Sequence, residues 1–272
     1  MDLLSAIALG VVQGLTEFLP ISSSGHLVIG QHLLGWKEPN IFFDVCLHLG
    51  TFAAVLIVFW KDVGGLVKGG CAFAADSFKG RFDLADSNKR VFFLVFVGSI
   101  PTALMGFFGR HWVESLFMSL PAVGFNLLLT GTFLWITRYA ASRTTERTSG
   151  GTTWRHALIV GIAQGFALAP GISRSGSTIS AGLLVGLDRE WAGRYSFLLF
   201  VPAVAGALAL EIGDVDWSLV APVPVFGGTL AAALTGTVAL KLLLKTVRQG
   251  KFHLFAPYCW AVGLIILLSQ AW

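Results

Sequence analysis

The sequence predicts an all-α integral membrane protein, one membrane domain over residues 1–272. About six transmembrane helices are expected, plus two broken re-entrant helix hairpins in an inverted-topology repeat. Three observations predict this. Hydrophobic residues make up 55% of the chain and charged residues 12%, about half the charged share of soluble domains, and mean hydropathy is +0.75. Apolar runs of about 20 residues, enough to cross a bilayer, recur along the chain. Two further apolar stretches are broken in the middle, and one is a copy of the other.

The same composition excludes several classes. So much apolar surface rules out disorder and leaves too little polar surface for a soluble domain. Nineteen Lys and Arg against fifteen Asp and Glu is too small an excess for a nucleic-acid partner. Cys46, Cys71 and Cys259 are widely spaced and read as apolar filler. Asp2 stands where a leader would carry basic residues, so no cleaved leader is expected.

The crossings follow in order. Ile41–Trp60 is apolar, although it holds Asp44 and His48. Val91–Gly109 and Met118–Thr137 carry no charge. Tyr195–Leu210 is uncharged and extends back to Trp191. Trp217–Leu240 contains Pro222 and Pro224 near its start, and Leu254–Trp272 closes the chain. Lysine and arginine crowd the loops 61–90 and 138–155 and the segment before the last helix, whereas 211–216 carries Glu211, Asp214 and Asp216. With the basic loops in the cytoplasm, six crossings satisfy parity and both termini face out.

Residues 1–35 and 155–187 differ from these runs. The clusters Leu19-Pro20-Ile21-Ser22-Ser23-Ser24-Gly25 and Pro170-Gly171-Ile172-Ser173-Arg174-Ser175-Gly176 divide each into halves too short to span. Such backbone is tolerated at membrane depth only against protein or a watery cavity. A shift of 151 lays GVVQGLTEFLPISSSGHLVIGQHLLG (10–35) over GIAQGFALAPGISRSGSTISAGLLVG (161–186) without a gap, with nine of 26 positions identical. Repeat 1 therefore lies around 1–60 and repeat 2 around 155–211, and the remaining helices complete the bundle. The first hairpin enters from outside and the second from inside, so the copies are inverted. In such folds the site lies near the midplane, where the breaks face each other.

The breaks also carry the chain's chemistry. Gln13 and Glu17 share a helix face, and a carboxylate at membrane depth is functional by default. The copies have diverged: Glu17 pairs with Leu168, Ser23 with Arg174 and His26 with Ser177. One copy supplies acid–base groups and the other a fixed cation. Arginine's planar fork matches phosphate oxygens. Ser22, Ser24, Ser173, Ser175 and Thr178 add hydroxyl donors, and the turns at Gly25 and Gly176 lead into helices whose free N–H groups suit an anion. Phosphoryl transfer needs this set. His26 is the candidate base and acid, and Ser23 is a nucleophile or orients water. Glu17 is the candidate metal ligand, for Mg²⁺ or Ca²⁺ with substrate oxygens, or a proton-relay partner. The plainer reading of Glu17 and Arg174 is a structural ion pair joining the repeats.

Gln13-Gly14-Leu15-Thr16-Glu17-Phe18-Leu19-Pro20, Ser22-Ser23-Ser24-Gly25-His26 and Pro170-Gly171-Ile172-Ser173-Arg174-Ser175-Gly176-Ser177-Thr178 resemble the signature motifs of bacterial undecaprenyl-diphosphate phosphatases of the bacitracin-resistance type. The resemblance runs over nearly the whole chain, including 42–50 and 195–202. It implies metal-dependent hydrolysis of a C55 isoprenyl diphosphate to the monophosphate, recycling the lipid carrier for cell-wall synthesis. It implies catalytic roles for Glu17, Ser23, His26 and Arg174, and substrate binding by Gln13, Ser22, Ser24, Gly25, Ser173, Ser175, Gly176 and Thr178. It further implies a homodimer in the cytoplasmic membrane, among membrane lipids, with the site open to the outer face. Two positions depart from the pattern: Gln13 stands where many members have Glu, and His48 where Gln is common. The alternative is a lipid flippase or small-solute transporter using the same midplane site. The other lipid phosphatase class needs His and Asp where this chain has Ser180 and Leu184.

Overall fold

A computed structural model describes residues 2–33, 41–81, 83–117, 119–140, 147–211 and 222–269. Among them the chain is helical and has no strand. The helices are α1 (Leu3–Phe18), α2 (Ser23–Leu33), α3 (Ile41–Val58), α4 (Trp60–Phe78), α5 (Ser87–Phe117), α6 (Leu120–Ala140), α7 (Trp154–Phe166), α8 (Arg174–Leu184), α9 (Arg189–Glu211), α10 (Pro222–Arg248) and α11 (Ala256–Ser269).

Among the described residues five spans are long and apolar enough to cross a bilayer: α5, α6, α9, α10, and α11 with the short 3₁₀ turn Phe252–Phe255 before it. The bent pair α3–α4 passes the same test only when its two helices are taken together as one broken span, which brings the number to six. The chain is thus a multi-pass membrane protein, with crossings where the apolar runs lie. α5 and α10 continue about two turns beyond the apolar runs, to Phe117 and Arg248. Long basic side chains such as Lys245 and Arg248 can carry a helix past the apolar slab because their stems stay apolar. The acidic segment 212–216, residues 217–221 at the expected start of α10, and residues 270–272 lie outside the described residues.

The segment 61–90 is not the plain loop that its six basic residues suggest. It forms α4, turned 88° from α3 at Phe59. Two ion pairs fasten the turned helix: Asp62 with Arg194 of α9, and Asp76 with Lys89 of α5. Arg194 thus joins α9 to α4, and Glu190 of α9 pairs with Arg248 of α10 at 3.2 Å.

The two broken stretches form matching helix–break–helix units. α1 packs on α2, and α7 on α8. Each unit docks on a long helix through a glycine. A Cβ at Gly10 of α1 would lie 2.2 Å from the Gly228 carbonyl oxygen of α10. A Cβ at Gly161 of α7 would lie 2.0 Å from the Gly98 carbonyl oxygen of α5. Gly10 and Gly161 are equivalent positions in the repeat, so both copies use one packing device, the close backbone approach that small residues permit in membranes.

Gly10→Ala and Gly161→Ala should each lower thermal stability in detergent, by about 1–3 kcal/mol from overpacking. Gly64→Ala, whose added Cβ meets nothing within 4 Å, should leave the melting temperature unchanged or raised.

Candidate active site at the meeting of the two breaks

α1 ends at Phe18 because Pro20 cannot continue a helix. The chain then turns through Ser22, whose φ of 69° is left-handed. In the second copy the left-handed residue is Gly171, at φ 89°. Its counterpart in the first copy is Pro20, whose ring fixes φ near −65°, so the turn shifts two residues on. Gly171 is also required by space, since a Cβ there would meet the Val123 carbonyl oxygen at 2.4 Å.

The breaks satisfy one another. Ser22 Oγ accepts from the Gly171 N–H at 3.1 Å, and Ser175 Oγ donates to the Phe18 carbonyl at 2.9 Å. α6 supplies the rest: Thr130 donates to the Gly171 carbonyl at 2.9 Å and accepts from the Ser173 N–H at 3.0 Å, while Asn126 donates to the Pro170 carbonyl at 2.7 Å. Ser173 Oγ caps α8 by accepting from the Gly176 N–H at 3.0 Å. Thr178 donates back to the Arg174 carbonyl at 2.8 Å and contacts Ser196 of α9 at 2.6 Å.

Glu17 is the centre of the arrangement. Its Oε1 accepts from Arg174 Nη2 at 2.6 Å. Its Oε2 accepts from Ser23 Oγ at 2.5 Å and from Gln13 Nε2 at 3.1 Å, with His48 Nε2 3.8 Å away. The Glu17 side chain is 8% exposed and that of Arg174 15%. Arg174 also lies over the Phe200 ring, 3.8 Å from its centroid, a favourable cation–π contact. Its Nη1 is buried without a hydrogen-bond partner among the described residues. An unpaired buried guanidinium N–H is costly and is a ready donor to an anion.

Four of the sequence-derived residues, Gln13, Glu17, Ser23 and Arg174, thus converge. Ser22, Ser24, Ser173, Ser175 and Thr178 hold the breaks in shape, with Ser22 and Ser24 Oγ atoms 3.2 Å apart and those of Ser173 and Ser175 3.3 Å apart. Gly25 and Gly176 lie in the first turns of α2 and α8. His26 differs from the sequence expectation in its partners. Its Nδ1 lies 2.8 Å from the Ser22 carbonyl oxygen and its Nε2 2.7 Å from the Tyr258 hydroxyl, while the Ser23 proton is directed to Glu17. Asp44 and His48 are linked through the backbone: His48 Nδ1 donates to the Asp44 carbonyl at 2.7 Å.

The family model described as Bacitracin resistance protein BacA matches residues 6–265. The chain belongs to the BacA family. It is 46% identical to the undecaprenyl-diphosphatase of Desulfatibacillum aliphaticivorans over 276 residues, covering 99% of each chain. It is 47% identical to that of Desulforapulum autotrophicum over 277 residues, again 99% of each. A third relative of the same description, from Methanosphaera stadtmanae, is 42% identical over 275 residues and 98% of each.

Three contacts of this BacA-family site escape sequence reading, Asn126, Thr130 and Tyr258; Ser196 and Phe200 fall in the segment 195–202 that the resemblance covers, without a role assigned to them. Each of the three sits in an ordinary apolar helix with no local motif. Only the Pro170–Ser173 backbone, which needs donors and acceptors at membrane depth, signals that some neighbour must carry them.

The donors around Glu17 bear on a divalent cation. Among the described residues no group of three His, Cys, Asp or Glu side chains stands together. Gln13 Oε1, however, is buried without a partner, beside the Glu17 carboxylate. Two protein oxygens completed by substrate oxygens suit a hard cation that is not caged by protein, so the residues fit Mg²⁺ or Ca²⁺.

Removing one member of a buried ion pair strands its partner. Glu17→Gln should cost about 3–5 kcal/mol of stability by denaturant unfolding. The double variant Glu17→Gln, Arg174→Met should recover most of that loss. A double variant no more stable than the single one contradicts the pairing.

Proposed function

We propose that the chain hydrolyses undecaprenyl diphosphate to undecaprenyl phosphate and inorganic phosphate. Membership of the BacA family and relatives named undecaprenyl-diphosphatase at 46–47% identity over nearly full length support this function. The observation that carries the site assignment is the buried Arg174 with a free Nη1, flanked by the N-termini of α2 and α8.

In this reading the diphosphate docks on Arg174 and on the open amides of both helices, whose partial positive charge favours an anion. Arg174 then exchanges its bond to Glu17 for phosphate oxygens. Ser23 Oγ attacks the terminal phosphorus as its proton passes to Glu17, 2.5 Å away. The bond from that phosphorus to the bridging oxygen breaks, and the C55 monophosphate leaves with the bridging oxygen. Arg174 neutralises the charge that shifts onto that oxygen. Water next attacks the phosphoserine and loses its proton to His26, three residues along the same face of α2. The bond from that phosphorus to Ser23 Oγ breaks, Ser23 takes its proton back from Glu17, and His26 gives up the water proton as inorganic phosphate leaves. A Mg²⁺ or Ca²⁺ held by Glu17, Gln13 and substrate oxygens would supply further neutralisation of phosphate charge.

The isoprenyl tail lies against the apolar helices, in contact with membrane lipids. Basic segments gathered on one side of the crossings favour an orientation with these segments in the cytoplasm, and the first break then faces the outer side of the cytoplasmic membrane. A homodimer belongs to the same reading and rests on the family resemblance.

Phosphate release from purified, detergent-solubilised protein given a polyprenyl diphosphate tests this. Arg174→Ala should lose about 100-fold or more in kcat. Arg174→Lys should not restore it, because the bidentate fork is gone. Wild-type turnover in either variant contradicts the role. A folded wild-type protein that releases no phosphate would favour lipid or solute transport through the same site.

A further inference from the structure

His26 and Tyr258 form a contact across 232 positions of sequence that the reaction as described does not use. The Ser22 carbonyl can only accept, so the proton on the neutral imidazole sits on Nδ1. The lone pair is then on Nε2. The Tyr258 hydroxyl, 2.7 Å away, is its donor. The two rings lie nearly parallel, 12° apart, with centroids separated by 5.8 Å. The Ser22 carbonyl makes Nε2 the basic nitrogen, and Tyr258 fixes the free edge of the imidazole by holding that nitrogen.

The anchoring of α11 supports this geometry. The next residue, Cys259, is fully buried and its thiol donates to the Pro20 carbonyl in the first break at 3.4 Å. Ala256 is also fully buried, whereas Tyr258 is 44% exposed. The backbone of α11 is packed on α6 and buried on both sides of Tyr258, Cys259 ties it to the first break, and the Tyr258 ring lies at an open edge beside His26. A hydroxyl in that position holds Nε2 ready as an acceptor and can yield it to a water.

We propose that Tyr258 is a positioning residue for His26, fixing the imidazole so that Nε2 is the nitrogen that takes the proton from water. The proposal rests on the reading of His26 as a catalytic base. Its test combines turnover with a label that does not need turnover. Diethyl pyrocarbonate acylates unprotonated imidazole nitrogen, and the His26 peptide is followed by mass spectrometry. Tyr258→Phe keeps the ring and removes only the hydroxyl. It should speed acylation of His26 by about 3- to 10-fold, the equivalent of one hydrogen bond. It should lower kcat by a similar factor and leave KM within about twofold. Tyr258→Ala should lower kcat further, so that Phe counts as partial rescue.

Unchanged acylation overturns the capping of Nε2. Faster acylation with unchanged kcat overturns the positioning role. A change in KM with unchanged kcat makes Tyr258 a substrate contact and also overturns it. His26→Ala separates the two layers. If that variant turns over normally, the catalytic reading of His26 fails, while the acylation result on Tyr258→Phe still decides the contact itself.

Discussion

Backbone that breaks inside an apolar slab must receive its hydrogen bonds from the protein, because no water competes to supply them. Both copies of the repeat break, and the solution is reciprocal. The Ser22 hydroxyl accepts from the Gly171 amide, and the Ser175 hydroxyl serves the Phe18 carbonyl. Asn126 and Thr130 of α6 take the remaining groups around Pro170–Ser173. Once the breaks are held face to face, the ends of α1, α2 and α8 meet at one point. The Glu17–Arg174 pair sits there, and its net charge is balanced until an anion enters.

Divergence between the copies explains why there is one such centre and not two. Glu17, Ser23 and His26 of the first copy correspond to Leu168, Arg174 and Ser177 of the second. The second copy keeps the break, the serines and Gln164, but Gln164 Nε2 donates at 3.1 Å to Thr102 of α5 in place of a carboxylate. The scaffold stays symmetric where backbone must be satisfied and where Gly10 and Gly161 dock on their long helices. It becomes asymmetric where charge matters. A positive charge from one copy and acid–base groups from the other form a single polar centre that neither copy contains alone.

Much of this was legible in the sequence. The crossings announce themselves by length and hydropathy, and the breaks by Pro20, Pro170 and the serine clusters. The convergence of Gln13, Glu17, Ser23 and Arg174 follows from the inverted repeat once opposed breaks are taken to meet. What escaped has a physical reason in each case. α4 reads as a basic loop because its lysines and aspartates interrupt the apolar run, and the ion pairs that hold it, to α5 and α9, are tertiary and carry no local motif. Thr130 and Asn126 act through partners more than 40 positions away. The sequence sets Ser23 and His26 in one turn without saying what either side chain meets; side-chain direction gives Ser23 to Glu17 and His26 to Tyr258.

The central claim is that one anion site is assembled from both inverted copies. Calorimetric binding of a methylene-bridged, non-hydrolysable polyprenyl diphosphonate tests it without relying on turnover. The account predicts that Arg174→Gln, in the second copy, weakens binding about tenfold or more, as loss of a charged hydrogen bond requires. Ser23→Ala, in the first copy, should weaken it about twofold or more. Affinity that falls with one variant and is untouched by the other would contradict a shared site.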